Sequence, residues 1–353
     1  MLRGHGYWHF QIRFSDFSQR VGSRRYITAM NCGIGTSQKI ENQVIVIVGP
    51  TAVGKTDLAL RLAQELHGEI ISADSRQIYR HMDIGTAKPS NEQRKSVPHH
   101  CVDIVDPDVS FSAGEFSRRA RICIREILSR GKRPVLVGGS GLYITALLDG
   151  FFDDGGIDPE LRSALNTRLK TEGLSALYEE LGRVDPVRQL TLEAKDAQRI
   201  IRALELGLGR QTQTDSAREQ TGTTLCASPP SMFCLTRDRQ VLNGRIDRRV
   251  DDMFLDGFSE EVSHLRALGF AADCPGLSSL GYREVLECQD GSLSHEEAIA
   301  SIKLRSRRYA KRQFTWFRRD RRLRWLDLDH LGQGGAIERI LAQCAGDQQT
   351  GRH

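Results

Sequence analysis

Eight residues constrain this chain more than any others: GPTAVGKT, Gly49 to Thr56, follows a run of β-branched residues, QVIVIV (Gln43 to Val48), and precedes a helix-period segment, Asp57 to His67. The pattern G-x-x-x-x-G-K-[ST] between a strand buried on both faces and a helix wraps a diphosphate in backbone N–H groups, where the helix dipole favours negative charge. Gly49, Pro50, Thr51, Ala52, Val53 and Gly54 form the cradle, Lys55 adds a point charge, and Thr56 offers a hydroxyl to Mg²⁺. The motif fixes a phosphate and not a reaction.

Around it the sequence reads strand, helix, strand, helix, strand. A second apolar run covers Glu69 to Ser72, Ser112 and Glu115 make a capping box ahead of an amphipathic stretch to Arg130, and a third buried strand spans Pro134 to Val137. This alternation predicts an α/β fold, a parallel P-loop sheet flanked by helices. After about Gly150 the pattern changes: Asp158 to Lys170 and Lys195 to Leu208 are helical with polar faces, and strand signals return only at Met232 to Leu235. Helical pattern then runs from Asp238 onward, with a short strand expected at Arg324 to Leu328. The expected organisation is an extension outside the fold (1–40), a core built from 41–150 and 226–345, a helical insertion domain at 151–225, and a tail at 346–353.

Composition excludes several classes. With 39% hydrophobic and 27% charged residues in 353, the chain is neither disordered nor fibrous, and no apolar run reaches the length of a membrane span. Eight scattered cysteines without a CxxC pair suggest neither a zinc ribbon nor a disulfide framework, which fits a reducing, cytoplasmic home. The net charge of +5 belongs to residues 1–40, Arg-rich like a transit presequence or an upstream start before Met30; the rest holds 44 basic and 44 acidic residues. Any basic surface must therefore come from clustering. From Lys303 to Arg324 there are eleven Lys or Arg and one acid, Asp320. Arg305, Arg308, Arg312 and Arg319 fall on one helical face, while Ile302, Tyr309 and Trp316 repeat every seven residues as an apolar seam. Such a charge excess is costly unless phosphates lie nearby, which favours nucleic acid over a merely solvated face.

Chains with this loop usually present an acid at the end of another strand to hold a metal. Here the third predicted strand ends in Gly138, Gly139 and Ser140; the carboxylate follows the second, as Asp74 in SADSRQIY. Asp74 can act as a general base, hold a metal, or only form a turn. Ser140 can donate into the same crevice or cap the following helix.

Together these residues resemble the tRNA dimethylallyltransferases (tRNA isopentenyltransferases). The resemblance runs from about Val44 to Leu328 and rests on GPTAVGKT, DSRQIY (Asp74 to Tyr79), MDIGTAKP (Met82 to Pro89), the Asp103 region, VGGSGLY (Val137 to Tyr143), QRIIRALE (Gln198 to Glu205), RIDRRVDDM (Arg245 to Met253), LGYRE (Leu280 to Glu284) and YAKRQFTWFR (Tyr309 to Arg318). It implies transfer of a dimethylallyl group from its diphosphate to the exocyclic amine of the adenosine 3′ of a tRNA anticodon, with the cradle holding the leaving diphosphate. The resemblance assigns Asp74 as base, Ser140 beside it, and Arg249 with the cradle to the diphosphate. It sets Asp74, Ser75, Arg76, Gln77, Ser140, Arg162, Gln198, Arg199, Ile200, Ile201, Arg202, Ser278, Ser279, Leu280, Gly281, Tyr282 and Arg283 against tRNA. This chain departs from the family in Ser140 for the usual threonine, Ala197 for a proline, and Ser278 and Ser279 before Gly281. With no cysteine-containing zinc finger it resembles the bacterial type, expected as a monomer. Two rival readings are a P-loop small-molecule kinase using ATP and a non-catalytic RNA-binding protein.

Overall fold

The computed structural model describes residues 44–150, 159–212 and 230–350. Among them six strands form one parallel sheet: β1 (Ile45–Val48), β2 (Glu69–Ala73), β3 (His99–His100), β4 (Pro134–Gly138), β5 (Ser231–Thr236) and β6 (Arg324–Asp327), in the order β3-β2-β4-β1-β5-β6. The predicted parallel sheet is therefore present. β3 was not anticipated, because two half-buried histidines carry no periodicity.

The uninterrupted apolar strands are explained by cover on both faces. Val44, Val46 and Val48 point to one side, where α3 (Ala113–Ser129) and α4 (Gly141–Leu148) contribute Phe116, Ile124 and Leu147. Ile45 and Ile47 point to the other, against Leu58 and Leu62 of α1 (Lys55–Glu65). The Ser112–Glu115 capping box is formed in both directions, at 3.1 and 2.7 Å. The six-residue α2 (Asn91–Ser96) precedes β3. The insertion adds α5 (Pro159–Thr171), α6 (Leu174–Val184), α7 (Pro186–Thr191) and α8 (Ala197–Thr212), which pack Leu165, Leu177, Leu181, Ile200, Ile201 and Leu204 into a core of their own.

After β5 come α9 (Arg239–Leu255), α10 (Phe258–Ala267), α11 (Tyr282–Gln289), α12 (His295–Phe317) and, beyond β6, α13 (Leu328–Thr350), which kinks at Gly332. Helix continues to Thr350 where a tail from 346 was expected. Residues 1–43, 151–158, 213–229 and 351–353 of the expected organisation lie outside the described residues. No helix among the described residues is long and apolar enough to cross a membrane.

The seam of α12 requires a correction. Ala298, Ile302, Ala310, Gln313 and Phe317 are buried, whereas Trp316 is 39% exposed. A straight helix drifts by about 20° per heptad against a strict seven-residue repeat, so over 23 residues the Ile302–Tyr309–Trp316 line slides off the buried face.

The opposite edge of the sheet is tied by Glu69. Only 3% exposed, its carboxylate meets Arg130 and His100 at 2.7 Å and Lys132 at 3.2 Å, joining the start of β2 to the end of α3. Burial raises its pKa, but hydrogen bonds from Arg130, His100 and Lys132 outweigh burial and hold it at about 2. A depressed carboxyl stabilises the fold above its unfolded pKa, and that stability disappears as pH falls from about 4.5 toward 2. Because the partners reach solvent, Glu69→Gln is expected to cost about 1–2 kcal/mol at pH 7. Urea unfolding at pH 7 and pH 3 checks this; the deficit must shrink at pH 3, and an equal deficit at both contradicts it.

Candidate active site

Parallel register brings the chemistry to one edge. Val48 pairs with Gly138 and with Cys234, and Ala73 pairs with Gly138, so Gly49, Asp74 and Gly139 leave the sheet at one level, at the carboxyl ends of β1, β2 and β4. Gly138 is required there: a Cβ on it would lie 2.1 Å from the Ala73 carbonyl oxygen.

Ser140 occupies the N-cap position of α4 but makes no capping hydrogen bond. Its Oγ instead accepts from the Ser75 N–H at 2.9 Å and donates to Ser75 Oγ at 3.3 Å, while its own N–H bonds the Ala73 carbonyl at 3.2 Å. Ser140 thus fastens the turn that carries Asp74. One Asp74 oxygen accepts from the Arg76 N–H at 2.9 Å, which satisfies the turn-forming reading; its other oxygen takes no hydrogen bond among the described residues.

The cradle turns through left-handed Ala52 (φ 62°) and Gly54 (φ 111°). Three arginines, one just after β5 and two on α9, bind it: Arg237 Nε donates to the Val53 carbonyl at 3.0 Å, Arg245 Nε to the Ala52 carbonyl at 2.8 Å, and Arg249 Nη1 to Thr51 Oγ1 at 3.1 Å. Lys55 Nζ curls onto the Pro50 carbonyl at 2.8 Å. Not every cradle residue offers an amide to an anion. The Thr51 N–H is spent on Gln313 Oε1 at 2.9 Å and the Val53 N–H on the Pro50 carbonyl at 3.4 Å. Those of Ala52, Gly54, Lys55 and Thr56 meet no acceptor among the described residues.

The charges are coupled. Burial lowers Lys55 to about 8; Asp74 opposes that shift and Arg249 adds to it. Burial lowers Arg249 as well, again opposed by Asp74. From α12, Tyr309 is raised to about 12 by burial and then by Asp74, with Ser140 hydrogen-bonded beside it. Two desolvated cations and one carboxylate therefore share the crevice.

Gln313 is a member that residue type alone did not reveal. Its Nε2 donates to the Gly139 carbonyl at 2.9 Å while its Oε1 takes Thr51, so it staples the loop after β1 to the loop after β4. The available signal was its spacing, four residues after Tyr309 on the same helical face.

The residues expected against tRNA divide. Arg76, Gln198, Arg199, Ser278 and Arg283 are exposed, and Ser75, Gln77 and Leu280 are half-buried. Half-buried Arg162 and Arg202 both pair with Glu205, at 3.1 and 3.0 Å. Ile200 and Ile201 are corrected: at 0% and 5% exposure they lie in the insertion core, because helical period turns Ile200 opposite Gln198 and Arg202, and Ile201 opposite Arg199. Ser279, Gly281 and Tyr282 are buried too, and the Tyr282 hydroxyl donates to Glu261 at 2.7 Å. On α12 and after it, Lys303, Arg305, Arg307 and Arg322 are neutralised by Asp251, Glu284, Asp247 and Asp149. Arg308, Lys311, Arg312, Arg318, Arg319 and Arg321 form no ion pair among the described residues. A cavity of about 470 Å³ beside α4, lined by Ile144, Met232, Trp316 and Phe317, includes neither the 49–56 loop nor Asp74 and is separate from this crevice.

Lys55 is protonated below about pH 8 and neutral above it. Affinity for inorganic diphosphate is expected to fall by up to about tenfold per pH unit above that point. Calorimetry on wild type and Lys55→Met separates this from ionisation of the ligand; parallel pH profiles for the two proteins contradict it.

Comparison with known proteins agrees with this geometry. The IPP transferase family profile matches residues 77–320, and that of isopentenyl transferase matches 42–110. A tRNA dimethylallyltransferase 1 of Syntrophotalea carbinolica is 46% identical over 80% of this chain and 90% of its own length. The tRNA dimethylallyltransferase of Geobacter sulfurreducens is 43% identical over 83% and 94%. Among solved structures, the tRNA isopentenylpyrophosphate transferase of Bacillus halodurans superposes with a TM-score of 0.65 at 38% identity, covering 88% of this chain and all of its own. A eukaryotic dimethylallyltransferase acting on tRNA gives 0.71 at 28% identity, covering 88% and 80%. With a profile spanning most of its length and relatives above 40% identity along four fifths of it, this chain belongs to the IPP transferase family.

Proposed function

We propose that the protein transfers the dimethylallyl group of dimethylallyl diphosphate to the N6 amine of the adenosine 3′ of a tRNA anticodon, releasing diphosphate. The observation that carries this reading is a phosphate cradle with two desolvated cations facing a half-free carboxylate, Asp74, across one sheet edge. A kinase reading accounts for the cradle and leaves the free cations of α12 without a task.

An adenine amine is a poor nucleophile because its lone pair is delocalised into the ring. Attack on the allylic carbon therefore needs the N6 proton removed as the carbon–nitrogen bond forms, and the unbonded Asp74 oxygen accepts it, a contribution of about 10²–10⁴-fold. As the carbon–oxygen bond breaks, charge builds on the diphosphate oxygen. The amides of Ala52, Gly54, Lys55 and Thr56, with the Lys55 and Arg249 side chains, meet that charge as preorganised donors. The Thr56 hydroxyl takes no hydrogen bond among the described residues, which suits it to hold Mg²⁺; the ion would supply further positive charge to the leaving group. Ser140 acts by holding the Asp74 turn through Ser75.

The adenine must leave its stack to reach Asp74, at a cost of a few kcal/mol that is smallest in a single-stranded loop. The six cations on and just after α12 that form no ion pair among the described residues, with Arg76, Gln198, Arg199, Ser278 and Arg283, supply phosphate contacts that position the RNA. The helical insertion serves as clamp, keeping water from an allylic donor that would otherwise hydrolyse.

Incubating the protein with unmodified tRNA and dimethylallyl diphosphate, then digesting, is expected to yield adenosine heavier by one dimethylallyl group. ATP consumption with no prenylated nucleoside overturns the reading. Asp74→Asn is expected to lose about 10²–10⁴-fold in turnover while tRNA affinity stays within about twofold. Replacing Arg308 and Arg312 with glutamine should flatten the slope of log affinity against log salt by about 1–2. An unchanged slope removes α12 from the RNA interface.

A further inference from the structure

Glu261, on α10, has no part in the chemistry above, yet its carboxylate takes four hydrogen bonds. Its Oε2 accepts the N–H groups of Asp83 and Ile84, both at 2.7 Å, and its Oε1 accepts the Gly85 N–H at 3.1 Å and the Tyr282 hydroxyl at 2.7 Å. Three consecutive amides on one carboxylate fix a stretch of backbone as firmly as a bound anion would. The stretch is the MDIGTAKP segment, and it is packed flush on the same helices: a Cβ on Gly85 would lie 2.3 Å from the Phe258 ring and 2.6 Å from the Tyr282 ring.

One residue further on, this segment touches the reaction crevice at two points. The Thr86 carbonyl accepts from Arg249 Nη2 at 3.4 Å, the guanidinium whose other nitrogen reaches Thr51 Oγ1 in the cradle. The Ala87 carbonyl accepts from Gln77 Nε2 at 3.1 Å, and Gln77 lies in the turn that begins at Asp74. Lys88, with a side chain 2% exposed, then anchors the far end on the Tyr79 carbonyl at 2.9 Å and on Asp83 and Asp103 at 2.5 Å each.

We infer that Glu261, with Tyr282, is a positioning residue for diphosphate binding: by clamping residues 83–85 it sets the Thr86 carbonyl that aims Arg249 at the cradle. The inference rests on the proposed reading that the cradle holds a diphosphate. Arg249 is desolvated and needs an acceptor to hold its direction; with Glu261 neutralised, the amides of Asp83, Ile84 and Gly85 lose a charged acceptor and the carbonyl behind them is released. A glutamine in its place offers one oxygen and an NH₂ that faces donors.

The test uses calorimetric binding of inorganic diphosphate to the full-length chain, in a cycle of wild type, Glu261→Gln, Arg249→Ala and the double variant. Glu261→Gln is expected to weaken binding by about 5–20-fold with tRNA affinity unchanged, and to add less than about twofold in the Arg249→Ala background, since residues acting through one contact are not additive. Tyr282→Phe, which removes one donor and leaves the amides in place, is expected to weaken diphosphate by about 2–5-fold and serves if Glu261→Gln does not fold. Additive losses, or a loss shared equally between diphosphate and tRNA, overturn the positioning role and leave Glu261 a stabilising contact. Wild type that binds tRNA but no diphosphate overturns the underlying reading as well.

Discussion

Everything at this site depends on two cations held out of water against a single carboxylate. Lys55 and Arg249 both have their charged forms disfavoured by burial, and Asp74 acts in the opposite sense on each. Desolvated cations are poised for a polyanion, because a diphosphate brings the charge that their surroundings withhold. A carboxylate so placed offsets one of the two positive charges and, in the proposed reading, takes a proton once the anion has arrived. One arrangement thereby serves binding and chemistry.

Holding such charges in place requires rigidity that no single loop provides. The parallel register aligns the ends of β1, β2 and β4, and cross-links from elsewhere in the chain complete the frame. Gln313 joins the loops after β1 and β4, Ser140 joins the loop after β4 to the Asp74 turn, and Glu261 holds the segment that supports Arg249. Two of the three are uncharged, an amide and a hydroxyl, while the Glu261 carboxylate keeps its charge behind residues 83–85, where four neutral donors hold it. The helix that supplies Gln313 also carries Arg308 and Arg312, which form no ion pair among the described residues, and this couples the phosphate site to the surface where RNA is proposed to bind.

Much of this was legible in the sequence for a physical reason. Buried parallel strands need unbroken apolar runs, and a phosphate loop needs its glycines and lysine at fixed spacing, so β1, β2, β4 and the 49–56 loop announced themselves, as did the capping box at Ser112. Contacts between distant segments did not. Ile200 and Ile201 share a motif with exposed Arg199 and half-buried Arg202, and only helical phase separates core from surface there. Tyr282, set against tRNA by the resemblance, is buried with its hydroxyl on Glu261, 21 residues earlier. Trp316 fitted a heptad that a straight helix does not keep. Gln313 and Glu261 bond across 262 and up to 178 residues of sequence, beyond the reach of any local pattern.

The most direct measurement is a crystal structure of the protein with an unmodified anticodon stem-loop and a non-reacting thiolo analogue of dimethylallyl diphosphate. The diphosphate should lie on the amides of Gly54, Lys55 and Thr56, the allylic carbon within about 3.5 Å of adenine N6, and N6 within about 3.2 Å of the free Asp74 oxygen. A diphosphate seated outside the 49–56 loop, or an adenine amine turned away from Asp74, would contradict the account.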